Sequence, residues 1–223
     1  MRTVVFDLDG TLADTSGDLI AAANTCFARL GVADAVLHPR DDAATAFQGG
    51  RAMLRAGFDR LEHAWDEALI DRHYPVLLEA YAESIDVHTT LYPGAMPAVE
   101  ALCGTGYAVA ICTNKPEALA RLLLGRLGVM PAFGEALIGA DTLAVRKPDP
   151  EPLREAVRRA GGDPARALLV GDTVTDRETS RAAGVPSVLV GFGPAGATVA
   201  DLEPDAVIET YDALPGVVRQ LIG

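Results

Sequence analysis

Two aspartates two residues apart follow a short apolar run at the start of the chain. Val4, Val5 and Phe6 predict a buried strand, and Asp7 and Asp9 come after it. Alternate strand residues face the same side, so we expect both carboxylates at the strand's carboxyl end, where open α/β sheets bind ligands. Neighbouring carboxylates repel unless a shared proton or a hard cation such as Mg²⁺ compensates them. By itself, Asp-x-Asp is equally typical of a solvated acidic turn.

Donor side chains follow a second predicted strand, at residues 107–112. Thr113 and Asn114 come next, before a helix that opens near Pro116. Hydroxyl, amide and backbone donors at such a position suit phosphate oxygens. The same residues also make good helix N-caps, so the pattern alone leaves both interpretations open.

A lysine and an acidic pair complete the polar motifs. Lys147 precedes Pro-Asp-Pro, whose prolines force an extended entry into a helix. Asp172 and Asp176 follow a third apolar run at residues 167–170. A lysine is usually exposed, and an acidic pair at a helix start is often a simple cap, so each motif also has a purely structural interpretation.

These four motifs resemble, in order, the motifs of the haloacid dehalogenase superfamily, most of whose members are phosphatases. The resemblance covers about residues 4–190. It implies a role for each motif: Asp7 as nucleophile, Asp9 as general acid/base, Thr113 and Asn114 as phosphate ligands, and Lys147 as the ammonium that stabilises charge on the aspartate and the phosphate. A carboxylate nucleophile splits phosphoryl transfer into two easier steps, and a second carboxyl group moves the protons.

The resemblance also implies Mg²⁺ as the cofactor, which lets an anionic phosphate approach an anionic nucleophile. Asp7 and Asp172 are the expected carboxylate ligands, with the backbone carbonyl of Asp9 as a further ligand. Asp176 either binds the metal through water or orients Lys147, and the sequence leaves both roles open.

The positioning elements are predicted to be a parallel sheet and a helical insertion. Apolar periodicity favours helices rather than strands between the first and second strands. Such a block interrupts βαβ alternation, so we interpret it as an inserted helical cap, as in the resembled family. The fold class is α/β, a doubly wound, Rossmann-like parallel sheet whose right-handed crossovers bring the strand ends to one edge. The predicted ranges are 1–15 and 86–223 for the catalytic core, 16–85 for the cap, and roughly 16–30, 40–56 and 61–83 for the cap's helices.

The predicted cap contains two candidate substrate ligands, and the first of them is Arg51. It follows Gly49-Gly50, where a flexible loop could aim its guanidinium at an anionic substrate. Arg55, one helical turn later, is the second candidate. A solvated arginine in an interhelical loop is the commoner arrangement, so this role is a hypothesis.

Composition limits the classes of partner and location. The 223 residues are 49% hydrophobic, and the formal net charge of −12 argues against a general nucleic-acid surface. The 3 cysteines show no paired spacing, which suits a reducing compartment. With no apparent signal peptide or membrane-spanning run, we expect a cytoplasmic monomer or homodimer that acts on a small phosphate monoester.

Within the resembled family, Asp9 favours phosphate chemistry, because the dehalogenases lack the second acidic residue. The residues after it, the Thr113–Pro116 string and the small cap look most like phosphoglycolate phosphatases, which implies 2-phosphoglycolate as substrate. Sugar-phosphate phosphatases and β-phosphoglucomutase-like mutases share this frame. A different class, the receiver-like phosphoacceptor module, also gathers Asp, Thr and Lys, but it is shorter, lacks the insertion and is phosphorylated on a later strand.

Overall fold

The apolar run near the amino terminus forms the first strand of a parallel sheet. In the computed structural model, which describes residues 1–32, 34–193 and 195–223, the described strands are β1 (Thr3–Phe6), β2 (Ala13–Asp14), β3 (Thr90–Leu91), β4 (Ala108–Cys112), β5 (Leu137–Ile138), β6 (Ala167–Gly171), β7 (Ser187–Val190) and β8 (Ala206–Ile208). Six of them pair in parallel in the order β5-β4-β1-β6-β7-β8. Every residue of β1 is buried, as is typical of a central parallel strand. The predicted α/β fold class is confirmed.

Helices connect the strands of the sheet and make up the insertion. The described α-helices are α1 (Ser16–Arg29), α2 (Ala43–Phe47), α3 (Gly50–Arg60), α4 (Glu67–Glu83), α5 (Ala95–Gly104), α6 (Glu117–Arg126), α7 (Glu151–Arg159), α8 (Val174–Ala183) and α9 (Leu214–Ile222). Helix α7 buries Leu153, Ala156 and Val157 against a cluster that includes Val5 and Leu169 of the sheet. Among the helices described, each is too short or too polar to cross a membrane.

The described residues divide into two compact units. The α/β unit comprises Met1–Asp14 and Leu91–Gly223, and the helical unit comprises Thr15–Thr90. The chain therefore passes between units within a few residues of the boundaries that the sequence predicts, after 15 and after 85. That the helical unit acts as a cap stays a prediction.

The predicted second helix of the insertion, 40–56, is wrong because it is interrupted in the middle. Helix α2 ends at Phe47 and α3 begins at Gly50. Between them Gly49 has φ +97°, a backbone conformation that residues with a side chain rarely adopt. Gly49 thus separates the two helices, Gly50 begins the second, and Arg51 lies in its first turn.

The predicted third helix, 61–83, begins later than expected. Helix α4 starts at Glu67, and Asp66 caps it by accepting a hydrogen bond from the backbone N–H of Leu69 at 2.8 Å. Before it, Glu62 has φ +51°, which ends the regular helical conformation after α3. The N-cap residue Asp66 therefore determines where this helix begins, and the apolar periodicity upstream of it does not.

An aromatic contact holds the helical unit together. The rings of Phe27 and Phe58 meet edge to face, with centroids 5.4 Å apart. A Cβ atom on Gly57 would lie 2.1 Å from Cζ of Phe27, so the close approach of α1 and α3 requires glycine there. The contact between α1 and α3 is therefore apolar and depends on how closely the side chains fit together.

Sheet register determines where the site residues emerge. Phe6 of β1 pairs with Ile111 of β4 on one side and with Val170 of β6 on the other. The residues that follow, Asp7 after β1 and Asp172 after β6, therefore leave neighbouring strands at the same edge. The backbone N–H of Asp7 continues the ladder by donating to the Val170 carbonyl at 2.9 Å.

Candidate active site

Lys147 lies among the polar residues at the edge of the sheet where β1 and β6 end. Its Nζ is 2.9 Å from Oδ2 of Asp7 and 2.6 Å from Oδ1 of Asp176, and the residue is only 3% exposed. Burial alone would lower the pKa of Lys147, but the charges of Asp176 and Asp7 outweigh it, so the pKa lies above its ordinary value. The lysine therefore keeps its charge at neutral pH and connects the end of β1 with the first turn of α8.

Asp176 is positioned by the turn that begins α8. Its Oδ2 accepts hydrogen bonds from the backbone N–H groups of Asp172 (3.2 Å) and Thr173 (3.1 Å) and from Oγ1 of Thr173 (2.7 Å). Gly171 permits this approach, because a Cβ there would lie 2.4 Å from Cβ of Asp176. Of the two roles that the sequence leaves open, the structure contains the contact with Lys147, and metal ligation stays a prediction.

Three carboxylates converge beside this lysine. Asp7, Asp172 and Asp176 each offer one oxygen, and these oxygens all lie within 4.8 Å of one another. Burial, together with the charges of Asp176 and Asp9 and against the opposing effect of Lys147, raises the pKa of Asp7 to about 6.

The surroundings of Asp172, like those of Asp7, carry more negative charge than positive charge. Burial and the charges of Asp176 and Asp7 hold its pKa well above the ordinary range. Thr11 Oγ1 donates to Asp172 Oδ1 at 2.9 Å, which fixes this carboxylate. One ammonium faces three carboxylates here, and a set of buried oxygen donors that lacks positive charge fits a hard divalent cation such as Mg²⁺.

Asp9 turns its carboxylate toward a different cation. Its Oδ1 lies 2.9 Å from Nζ of Lys115, whose side chain is only 3% exposed. The group of three converging carboxylates does not include Asp9, so its predicted metal contact would be through the backbone carbonyl. The sequence did not predict a role for Lys115, although this residue directly follows Thr113-Asn114 in the same motif.

Thr113 and Asn114 lie where the sequence places them, at the end of β4. Thr113 is buried, and its Oγ1 accepts a hydrogen bond from the backbone N–H of Lys115 at 3.2 Å. The Asn114 side chain donates to the carbonyl of Lys147 at 3.0 Å and so ties that loop to the sheet. Binding of phosphate by these two residues stays a prediction.

Arg51 lies on α3 in the helical unit. Its guanidinium pairs with Asp71 and lies over the ring of Tyr74, 4.5 Å from the centroid. Arg55 makes a bidentate contact with Glu67, at 2.9 and 2.7 Å. Both arginines are more than one-third exposed, and substrate binding by Arg51 stays a prediction.

Comparison with known proteins agrees with this geometry. A model of haloacid dehalogenase-like hydrolases matches residues 1–184. A phosphoglycolate phosphatase of Mesorhizobium japonicum is 42% identical, with 95% of this chain and 92% of the relative covered. One of Agrobacterium fabrum is 37% identical, with 98% and 93% covered. The predicted resemblance is confirmed.

Solved structures share the fold. A structure described as a predicted phosphoglycolate phosphatase from Haemophilus somnus has a TM-score of 0.84 at 23% identity, with 97% of each chain covered. A haloacid dehalogenase-like hydrolase from Streptococcus pneumoniae has a TM-score of 0.78 at 20% identity, with 97% of this chain and 98% of the other covered. With its four motifs at one sheet edge and a family match over most of its length, this chain belongs to the haloacid dehalogenase-like hydrolases.

Proposed function

We propose that this protein is a Mg²⁺-dependent phosphatase that hydrolyses a small phosphate monoester through a phosphoaspartyl intermediate, with 2-phosphoglycolate as its substrate. The observation that carries the proposal is the position of Asp7. It follows a central strand, and its carboxylate lies near both Lys147 and Asp172. A buried carboxylate with an ammonium 2.9 Å from one oxygen is held in place for attack on an electrophile.

The proposed metal site uses the carboxylates of Asp7 and Asp172 and the backbone carbonyl of Asp9. Asp176 contributes through water or only through its contact with Lys147. When bound, Mg²⁺ supplies positive charge that lets a phosphate dianion approach a carboxylate nucleophile.

In the first step an oxygen of Asp7 attacks phosphorus, a bond from Asp7 to phosphorus forms, and the bond to the substrate alcohol oxygen breaks. Asp9, protonated, gives its proton to that oxygen, so the alcohol leaves neutral. The contact between Nζ of Lys115 and Oδ1 of Asp9, at 2.9 Å, holds the carboxyl group of Asp9 in one orientation. Lys147 stabilises the charge that develops on the transferred phosphoryl group.

In the second step water attacks the phosphoryl group on Asp7. Asp9, now ionised, takes a proton from the water, and the bond between Asp7 and phosphorus breaks. Inorganic phosphate leaves, and both aspartates return to their starting states. Thr113 and Asn114 are proposed to hold the phosphate oxygens through both steps.

The substrate assignment is supported by relatives that align along almost the whole chain. The two phosphoglycolate phosphatases described above cover more than nine-tenths of both lengths at 42% and 37% identity. A carboxylate on the substrate would need a cation besides Lys147, and we propose Arg51 for it. Its planar guanidinium suits a carboxylate.

The test is a screen of the purified protein against phosphate monoesters, with 2-phosphoglycolate, several sugar phosphates and p-nitrophenyl phosphate, in Mg²⁺ and in EDTA. We expect turnover only with Mg²⁺, and the highest kcat/KM for 2-phosphoglycolate. If a sugar phosphate is the best substrate, the assignment of 2-phosphoglycolate is refuted. Isomerisation of a sugar phosphate without phosphate release would indicate a mutase. Full activity in EDTA would refute the proposed dependence on Mg²⁺.

A further inference from the structure

A tyrosine near the carboxyl terminus contacts the loop that follows the first strand. Tyr211 Oη donates a hydrogen bond to the carbonyl of Thr11 at 2.7 Å, across 200 positions of sequence. Tyr211 is 1% exposed, and Thr11 is fully buried. The residue lies beyond position 184, where the match to the family model ends.

The same threonine contacts the candidate metal site through its side chain. While its carbonyl accepts from Tyr211, its Oγ1 donates to Oδ1 of Asp172 at 2.9 Å. The loop lies directly against that carboxylate, since a Cβ on Gly10 would be 2.2 Å from Oδ2 of Asp172. A shift of the loop would therefore move the hydroxyl that orients Asp172.

Aromatic packing holds the tyrosine in this position. Its ring lies 5.3 Å from that of Phe192, which in turn lies 5.0 Å from that of Tyr92. The backbone N–H of Tyr92 donates to the carbonyl of Leu12 at 3.0 Å, so the aromatic group contacts the loop at two points. Burial raises the pKa of Tyr211, and the charge of Asp172 adds to this, so its hydroxyl stays protonated and can donate.

We propose that Tyr211 is a positioning residue for the metal site: by holding the carbonyl of Thr11, it fixes the threonine hydroxyl that orients Asp172. This inference rests on the proposed Mg²⁺ site. Groups that orient a metal ligand commonly change metal affinity by about 10- to 100-fold when they are removed. Tyr211 acts one residue further away, so we expect about a three- to tenfold loss, close to the value of a single neutral hydrogen bond.

The experiment compares two tyrosine-to-phenylalanine variants within one aromatic group. Tyr211→Phe removes the hydroxyl that contacts Thr11, and Tyr92→Phe removes a hydroxyl from the neighbouring ring system as a matched control. Mg²⁺ affinity is measured by isothermal titration calorimetry without substrate, and the rise of Tm with Mg²⁺ provides a second readout. We expect about three- to tenfold weaker Mg²⁺ binding for Tyr211→Phe and wild-type affinity for Tyr92→Phe.

A double-mutant cycle with Thr11→Val tests whether the effect passes through Thr11. Thr11→Val should itself weaken Mg²⁺ binding, and adding Tyr211→Phe should then cost little more, because the hydroxyl to be positioned is gone. Fully additive effects, or a Thr11→Val variant with wild-type affinity, would overturn the proposal.

The results separate this inference from the proposed function. If the wild type binds no Mg²⁺, the metal site itself is refuted and the inference falls with it. If the wild type binds Mg²⁺ and Tyr211→Phe lowers only the Tm, with an unchanged dissociation constant, Tyr211 is purely structural and the inference alone is overturned.

Discussion

The two lysines of the candidate active site and the two candidate arginines of the helical unit are paired in different ways. In the α/β unit the side chains of Lys147 and Lys115 are 1% and 3% exposed, and each is paired with an aspartate. In the helical unit the side chains of Arg51 and Arg55 are 38% and 37% exposed, and their acidic partners are more exposed still. A buried pair cannot lose one member without leaving an uncompensated charge, whereas a surface pair exchanges readily with water.

Under the proposed function, this difference matches separate roles for the two groups: the buried lysines assist the chemistry, and Arg51 recognises the rest of the substrate. Phosphoryl transfer needs charges fixed before the substrate arrives, which the buried pairs of the α/β unit provide. A cation that binds the rest of a substrate must first leave its acidic partner in the protein at little cost in free energy. An ion pair on the surface, which typically contributes at most about 1 kcal/mol, allows this.

The largest effect should come from removing the proposed nucleophile. Asp7→Asn keeps the shape of the side chain but removes the attacking charge, so we expect turnover to fall about a thousandfold or more. Steady-state assays with 2-phosphoglycolate measure this, and circular dichroism checks the fold. Near-normal turnover in that variant would contradict the mechanism.

Breaking one pair in each unit should sharpen the contrast in stability. In EDTA, Lys147→Met leaves buried carboxylates uncompensated, and the free energy of unfolding should fall by about 3–5 kcal/mol. The matched change on the surface, Arg55→Met, should leave the free energy of unfolding nearly unchanged, because water screens an exposed pair. Urea titration measures both, and equal losses would show that burial does not distinguish the two pairs.

The stability of the metal-free protein should depend on pH through Asp7. Its pKa in the folded protein, about 6, is raised above the ordinary value of 3.8, so the folded state binds the proton more tightly. The resulting stability is fully present below about pH 4 and is lost as the pH rises through 6. In EDTA, the free energy of unfolding of the wild type should therefore fall, relative to that of Asp7→Asn, by about 2 kcal/mol between pH 4 and pH 6. The total loss should reach about 3 kcal/mol once the pH is well above 6.

Mg²⁺ provides the control for that pH dependence. Because the cation compensates the ionised carboxylates, it should raise the Tm of the wild type more at pH 7 than at pH 5. Parallel pH profiles for the wild type and Asp7→Asn in EDTA would show that Asp7 is not the group responsible.

The smallest predicted effect concerns Arg51. Arg51→Ala should weaken turnover of 2-phosphoglycolate by about ten- to a hundredfold, the range of one charge-assisted contact. Turnover of p-nitrophenyl phosphate, which lacks a carboxylate, should change little, and Arg55→Ala is the control from the same helix. Equal losses with both substrates would indicate a structural or general role, and no loss with either would leave Arg51 as a surface residue.

The sequence predicted the sheet, and it predicted that most residues of the candidate site would meet at one edge of it, because both depend on local signals. Short apolar runs ended by Gly, Asp or Thr predicted β1, β4 and β6, and sheet topology then required their carboxyl ends to meet. The contact of Lys147 with Asp176 was one of two roles that the sequence left open for that aspartate.

What the sequence did not predict depends on contacts across long separations or on single backbone conformations. Lys115 was missed because a lysine is usually exposed, and only the fold shows that it is buried beside Asp9. Tyr211 contacts a loop 200 positions away, which no local pattern indicates. The predicted helix 40–56 ran across Gly49-Gly50 although the glycine pair itself suggested a loop, and the backbone conformation of Gly49 shows that the helix is broken there.

The central claim, that Asp7 carries the phosphoryl group, is tested most directly by trapping the intermediate. An Asp9→Asn variant given p-nitrophenyl phosphate should accumulate it, because this good leaving group needs no acid but the second step still needs a base. After rapid quenching, mass spectrometry should locate a hydroxylamine-sensitive phosphate on Asp7, and none in a variant that also carries Asp7→Asn. A phosphate on another residue, or no covalent phosphate while turnover continues, would contradict the account.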